Sequence, residues 1–170
     1  MTWLEDIPLG HTQDLGVHTF TEPGMLAFAR KYDPMPFLTD LGAAKDGPHG
    51  GLVASGWYIC AIWMKLMIAS RANAPKEISK PAPDGRMPPQ GGPSPGFLDL
   101  KWRHPVRPGD TLAYKTTTIE KIDMKSRPTH GIVRVRNEAV NQNGEIVMSF
   151  TGQGMIERMT PLSQPPGGGK

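Results

Sequence analysis

The apolar positions of this chain change period along its length. A short β-prone run from Gly16 to Phe20, carrying Val17, Thr19 and Phe20, closes at the turn signal Glu22-Pro23-Gly24. Met25, Leu26, Phe28, Ala29 and Tyr32 then fall at helical spacings, with Pro23 near the first turn, where a missing amide proton does no harm. Pro34 must end that helix, and a residue before proline is pushed out of the helical region. Asp33 is therefore expected to be extended at the mouth of a loop running to Pro48, its carboxylate free to face a cleft. From Gly50 to Ile68 the residues Leu52, Val53, Ala54, Trp57, Ile59, Cys60, Ile62, Trp63, Leu66 and Met67 leave almost no polar face. This predicts a long helix wrapped on several sides, its tryptophans and methionines serving as packing. Gly50, Gly51, Ser55, Gly56 and Lys65 leave the uncharged run too short for a membrane span.

Between Arg71 and Gly96 seven prolines and several glycines replace any apolar period, which predicts a long surface loop, either a lid or a poorly ordered excursion. Four strand-like runs follow: Phe97 to His104, Asp110 to Ile122, Gly131 to Val140 and Glu145 to Ile156. In the third, Val133 and Val135 alternate with Arg134 and Arg136, the pattern of a sheet with one wet face. Asn143-Gly144 predicts a tight primed turn and an antiparallel last pair, since both residues tolerate positive φ. One long apolar helix followed by an antiparallel meander is an α+β arrangement. The expected organisation is one domain over residues 1–156, including the 71–96 loop, and a flexible tail over 157–170 that ends in Pro165-Pro166-Gly167-Gly168-Gly169-Lys170.

Charge narrows the function. The net charge is +3, and the 19 Lys and Arg residues form no run of five or six, so nucleic acid is not an expected partner, whereas a small anionic ligand is compatible. Cys60 is the only cysteine, which excludes a disulfide framework or a cysteine zinc site within one chain and fits a reducing compartment. No secretory signal is apparent in Met1-Thr2-Trp3-Leu4-Glu5-Asp6, so a cytoplasmic location is expected. No histidine has a partner at metal-ligand spacing, and no metal is expected.

Three stretches carry a family resemblance. They are Phe28-Ala29-Arg30-Lys31-Tyr32-Asp33-Pro34-Met35-Pro36-Phe37, Gly50-Gly51-Leu52-Val53-Ala54-Ser55-Gly56-Trp57, and Trp102-Arg103-His104-Pro105-Val106-Arg107-Pro108-Gly109-Asp110. With Ser126-Arg127-Pro128 before Gly131-Ile132-Val133, and Asn141-Gln142 before Gly144-Glu145, they resemble the MaoC-like acyl dehydratases, from about Leu9 to Ile156. The resemblance implies a hot-dog fold, a central helix wrapped by a curved antiparallel sheet. It also implies a homodimer or higher oligomer, an acyl-CoA or acyl-carrier thioester as ligand, and water added or removed across a 2,3-double bond. No cofactor is implied beyond the CoA of the substrate. In the R-specific enoyl-CoA hydratases of this family the motif is an Asp, Asn-Pro two and three residues later, and a His five residues after the Asp. Asp33 and Pro36 match; Met35 stands in place of the Asn and Leu38 in place of the His.

The site expected from these residues has Asp33 as general base or acid and the backbone amides near Gly50 and Gly51, at the start of the long helix, as thioester oxyanion donors. Leu38 cannot move a proton, and His49 is the candidate to replace the missing imidazole; Asp40 competes weakly because its helix-capping reading is good. Met35, Leu38 and Ser55 are expected to line the acyl site, with Arg103, Arg107 and Arg127 meeting CoA phosphates, for which arginine offers a planar fork of donors. His104 and His130 read as surface or structural histidines. Two other functions stay open: thioester hydrolysis on the same scaffold, and a non-catalytic acyl-CoA-binding subunit, which the apolar Met35 and Leu38 favour.

Overall fold

The computed structural model describes residues 2–73 and 78–163. Nine elements follow in order: β1 Thr12–Thr19, α1 Glu22–Tyr32, α2 Pro36–Thr39, α3 Leu41–Asp46, α4 Gly56–Asn73, β2 Gly96–Trp102, β3 Thr111–Asp123, β4 His130–Val140 and β5 Ile146–Glu157. The strands form one antiparallel sheet in the order β1-β3-β4-β5-β2, with β1 and β2 at its edges. Helix α4 lies on one face, giving the α+β hot-dog arrangement. Residues 164–170 of the expected tail, and 74–77 of the expected loop, lie outside the described residues.

Each boundary has a local cause. Helix α1 begins three residues before Met25 because Thr21 caps it, its hydroxyl accepting from the Gly24 amide at 3.3 Å, with Glu22 and Pro23 in the first turn. It ends at Pro34 as the proline rule requires. The stretch from there to Pro48, expected as loop, instead holds two short helices. Pro36 starts α2, and Asp40 caps α3 by accepting from the Ala43 amide at 2.8 Å, so the capping reading of Asp40 is the one observed.

The largest correction concerns the long helix. It begins at Gly56, because Gly50 and Gly51 adopt φ values of 61° and 151°, and the chain from Leu52 to Ser55 runs extended, with the Ala54 amide bonded to the Val106 carbonyl at 2.8 Å. It runs on to Asn73, beyond the expected end. Nor is it wrapped on all sides. Ile59 and Ile62 are buried against the sheet, while Trp57, Met64 and Ile68 remain exposed, since five strands on one side leave the outer stripe of an all-apolar helix uncovered.

The core between α4 and the sheet is built from Phe20, Met25, Ile59, Leu112, Tyr114 and Met148 among others. The Tyr114 hydroxyl donates to the Ile59 carbonyl at 3.3 Å, and burial pushes the phenol far above its ordinary pKa, so it stays a neutral donor. On β4, Gly131, Val133, Asn137 and Ala139 point inward, while Arg134 on the wet face pairs with Glu120 at 2.9 Å. The β4–β5 hairpin forms at Asn143-Gly144, but only Gly144 has positive φ (80°). Asn141 closes the turn instead, its side-chain oxygen accepting from the Asn143 and Glu145 amides at 3.0 and 2.9 Å.

The N-terminal segment packs at the far end of the sheet, a feature that carries no periodic signal in the sequence. Trp3 and Leu4 are buried, the Trp3 indole donates to the Lys80 carbonyl at 2.9 Å, and Lys121 donates to the carbonyls of Leu4, Glu5 and Ile7. The proline-rich segment from residue 78 to 95 is strapped to the same end: Arg86 pairs with Glu157 and Asp84, and the Met155 amide bonds the Pro93 carbonyl.

One polar atom tests this packing. His18 lies edge-on to Phe20 with ring centroids 4.8 Å apart, and its Nε2 is buried with no partner among the described residues. Burial, followed by the nearby Lys65 charge, lowers its pKa. The unfolded chain therefore takes up this proton first. The stability contributed is full above the unfolded value of roughly 6.5 and is lost as the pH falls below it toward the folded value. His18→Phe should flatten the fall in melting temperature between about pH 7 and pH 5; an unchanged slope in a thermal scan series would refute this linkage.

Candidate active site

Asp33 caps the C-terminal end of α1, its amide bonded to the Ala29 carbonyl at 2.9 Å, with φ −148° and ψ 66°. That conformation follows from Pro34 and turns the side chain toward the start of α4. There the Ser55 hydroxyl donates to Asp33 Oδ2 at 2.7 Å and itself accepts from the Trp57 amide at 3.2 Å. Ser55 is buried, so one side chain both caps the long helix and fixes the carboxylate. No described residue accepts from the Gly56 amide, which stands in the first turn of α4, where free amides and the helix dipole favour negative charge.

Asp33 opens onto a cavity of about 310 Å³ that is also lined by His49, Gly56, Trp57, Arg103 and His104. That volume lies at the lower end of the range for small-molecule sites. Trp102 forms part of the wall. Its indole donates to the Gly56 carbonyl at 3.1 Å and packs edge-on to Trp57 with centroids 5.4 Å apart. A Cβ on Gly56 would lie 2.5 Å from the Trp102 ring, so glycine is what permits this wall.

The other residues singled out by sequence take different places. Leu38 is only 5 % exposed and packs with Ala29, Val53 and Phe37 rather than lining the cavity, so it forms no pocket floor. Met35 is exposed at the start of α2, away from the cavity wall. Gly50 and Gly51 sit in the turn before the extended stretch and not at a helix start. Arg107 clamps that turn, donating to the His49 carbonyl at 2.7 Å. Arg127 lies at the β3–β4 turn against the Met155 sulfur at 3.4 Å. Arg103 alone of the three arginines reaches the cavity, with Nη2 donating to the Ser149 hydroxyl at 3.1 Å.

Two wall residues were not anticipated. His104, read as a surface histidine, lines the same cavity as Asp33, and Trp57, read as packing, is 53 % exposed at its edge. The signal for His104 lay in the Trp102-Arg103-His104-Pro105 run, whose end brings the chain from β2 back toward the start of α4. Among the described residues no cluster of three or more His, Cys, Asp or Glu is arranged to hold a metal, and no helix is long and apolar enough to cross a membrane.

Comparison with known proteins places the fold in a family. The family model described as the FAS1-like dehydratase domain region matches residues 27–150. The solved MaoC-like dehydratase from Rhodospirillum rubrum is 34 % identical, with a TM-score of 0.74, over 95 % of this chain and 100 % of that one. A monoamine oxidase regulatory protein from Archaeoglobus, 25 % identical, has the same TM-score of 0.74 over 94 % and 96 % of the two chains. The mesaconyl-CoA hydratase of Cereibacter sphaeroides is 34 % identical over 71 residues, 42 % of this chain but 20 % of that protein. This chain thus spans about a fifth of that curated relative. The chain belongs to the MaoC-like dehydratase family.

The Gly56–Trp102 contact generates a direct test. Gly56→Ala should displace the indole, lower stability by about 1–3 kcal/mol as overpacking does, and change the tryptophan fluorescence. An unaltered melting temperature and emission spectrum would show that the indole does not close on the helix start.

Proposed function

We propose that this chain is an acyl thioester hydratase or dehydratase, adding or removing water across a 2,3-enoyl bond of acyl-CoA or an acyl carrier. The observation that carries the reading is the Asp33 carboxylate on the cavity wall, held through one oxygen by Ser55, with Gly56, whose amide has no acceptor among the described residues, lining the same cavity. In the hydration direction the water oxygen bonds to C3, Asp33 takes one water proton, and C2 takes a proton from a histidine of the cavity wall, which the proton held by Asp33 then replaces. Charge that builds on the thioester oxygen is held by the Gly56 amide, in the role expected of Gly50 and Gly51. The chemistry calls for no cofactor besides the CoA of the substrate.

Leu38 removes the usual imidazole, and packing seals its position behind the site. His49 and His104, both on the cavity wall, are the groups that supply a second proton carrier, and Arg103 is the cation for a CoA phosphate. The named activities of relatives support the reading: one is a mesaconyl-CoA hydratase and another a MaoC-like dehydratase. A homodimer belongs to it as well, because the outer edge of β2 has no strand beside it and carries exposed Phe97 and Leu98.

Purified protein offered crotonyl-CoA, longer and branched enoyl-CoAs should form the 3-hydroxyacyl product, sought directly by mass spectrometry. Asp33→Asn should lower kcat by about 10²–10⁴, and of His49→Ala and His104→Ala, the variant that removes the second proton carrier should lose a limb of the pH–rate profile. Full turnover in Asp33→Asn refutes the assignment, as does thiol release without hydration.

A further inference from the structure

The segment from His49 to Ala54 brings a histidine to the wall of the Asp33 cavity and leads the chain toward α4. Its two ends are held by consecutive residues of the link between β2 and β3. At one end the Val106 carbonyl accepts from the Ala54 amide at 2.8 Å, and at the other Arg107 Nη2 donates to the His49 carbonyl at 2.7 Å. A cationic donor makes this bond stronger than a neutral one would. Gly51 leaves room for the guanidinium: a Cβ there would lie 3.1 Å from Arg107 Nη1, and its φ of 151° already favours glycine.

Arg107 is itself braced. Its amide donates to Asp110 Oδ2 at 2.7 Å, the Asp110 amide returns a bond to the Arg107 carbonyl at 3.0 Å, and Gln142 Nε2 donates to Asp110 Oδ1 at 2.7 Å. Gln142 belongs to the turn between β4 and β5, so the clamp is tied to the sheet. The His49 ring lies beside Phe37 of α2, with centroids 6.4 Å apart. The turn that carries it holds Gly47, Gly50 and Gly51, a stretch of backbone with wide conformational freedom that the arginine restricts to one shape. The other histidine of the cavity wall, His104, has no such tie: its backbone makes no hydrogen bond among the described residues.

Resting on the hydratase reading above, we infer that His49 is the second proton carrier and that Arg107 is its positioning residue. Arg107 does not line the cavity; it acts by fixing the backbone that carries the imidazole. In the hydration direction His49 gives its proton to C2 and takes back the one that Asp33 removed from water. The charged and titratable groups around the imidazole are Asp33, Arg103 and His104 on the cavity wall and Arg107 behind the turn. Proton delivery to one carbon depends on placement, and an error of about 1 Å costs up to about 10²-fold in rate.

Arg107 is exposed, so its replacement leaves the core in place. With the enoyl-CoA series, Arg107→Ala should lower kcat by about 10- to 100-fold and change KM by less than about three-fold. Arg107→Lys keeps a cationic donor and should recover most of the loss. His49→Ala should lose at least as much, and adding Arg107→Ala to it should cost nothing further, because the arginine acts only through that ring. A further loss in the double variant, or a change confined to KM or to the melting temperature, would overturn the assignment. Nuclear magnetic resonance of histidine-labelled protein reads the ring without turnover. The His49 signal, identified by its absence in His49→Ala, should shift or broaden in Arg107→Ala and stay in place in Arg107→Lys. If it moves while no enoyl-CoA is hydrated, the clamp stands, and the hydratase reading falls together with the part of His49 in it. If hydration proceeds while both kcat and the signal ignore Arg107, the clamp falls and the hydratase reading stands.

Discussion

The arrangement depends on how the first turn of α4 is seated. Ser55 caps the helix and holds Asp33, the Trp102 indole closes on the Gly56 carbonyl, and the Ala54 amide ties the preceding strand-like segment to Val106. These contacts fix one helix end against one carboxylate and one aromatic wall. A helix terminus leaves amides unsatisfied, and among the described residues none accepts from the Gly56 amide. An amide left without an acceptor costs stability, and at a helix start it favours an anionic oxygen of a ligand.

The rest of the fold serves to carry this end rigidly. The five strands give α4 a floor, and the buried Asn137 ties the helix to β4 through Trp63. At the opposite end of the sheet, Trp3, Lys121 and Arg86 bind the N-terminal segment and the proline-rich strap to β3 and β5. No described residue of the strap lines the Asp33 cavity. Its contacts make it a cover for the Trp3 end of the core, far along the strands from Asp33, and give no support to a lid.

Leu38 packs with Ala29, Val53 and Phe37, so α1, α2 and the extended stretch before α4 share an apolar joint. The carboxylate keeps its place because its support comes from Ser55 and the Asp-Pro geometry, neither of which involves residue 38. The cavity wall also receives His49 from the turn before α4 and His104 from the end of β2.

Periodicity was enough to read the strands of the meander, the first helix and its stop at Pro34, because alternation and proline chemistry act over a few residues. The motif residues were enough to place Asp33 and the family. The start of α4 escaped such a reading: Leu52, Val53 and Ala54 are as apolar as the helix itself, and only the bond from Ala54 to Val106 and the backbone angles at Gly50 and Gly51 make them extended. Likewise His104 and Trp57 enter the cavity wall, and Arg107 and Arg127 stay out of it, for reasons that no local pattern carries. Side chains some fifty residues apart in sequence meet because antiparallel pairing returns β2 beside β5, and the strand registers, set by long-range hydrogen bonds, determine which of them face the ligand.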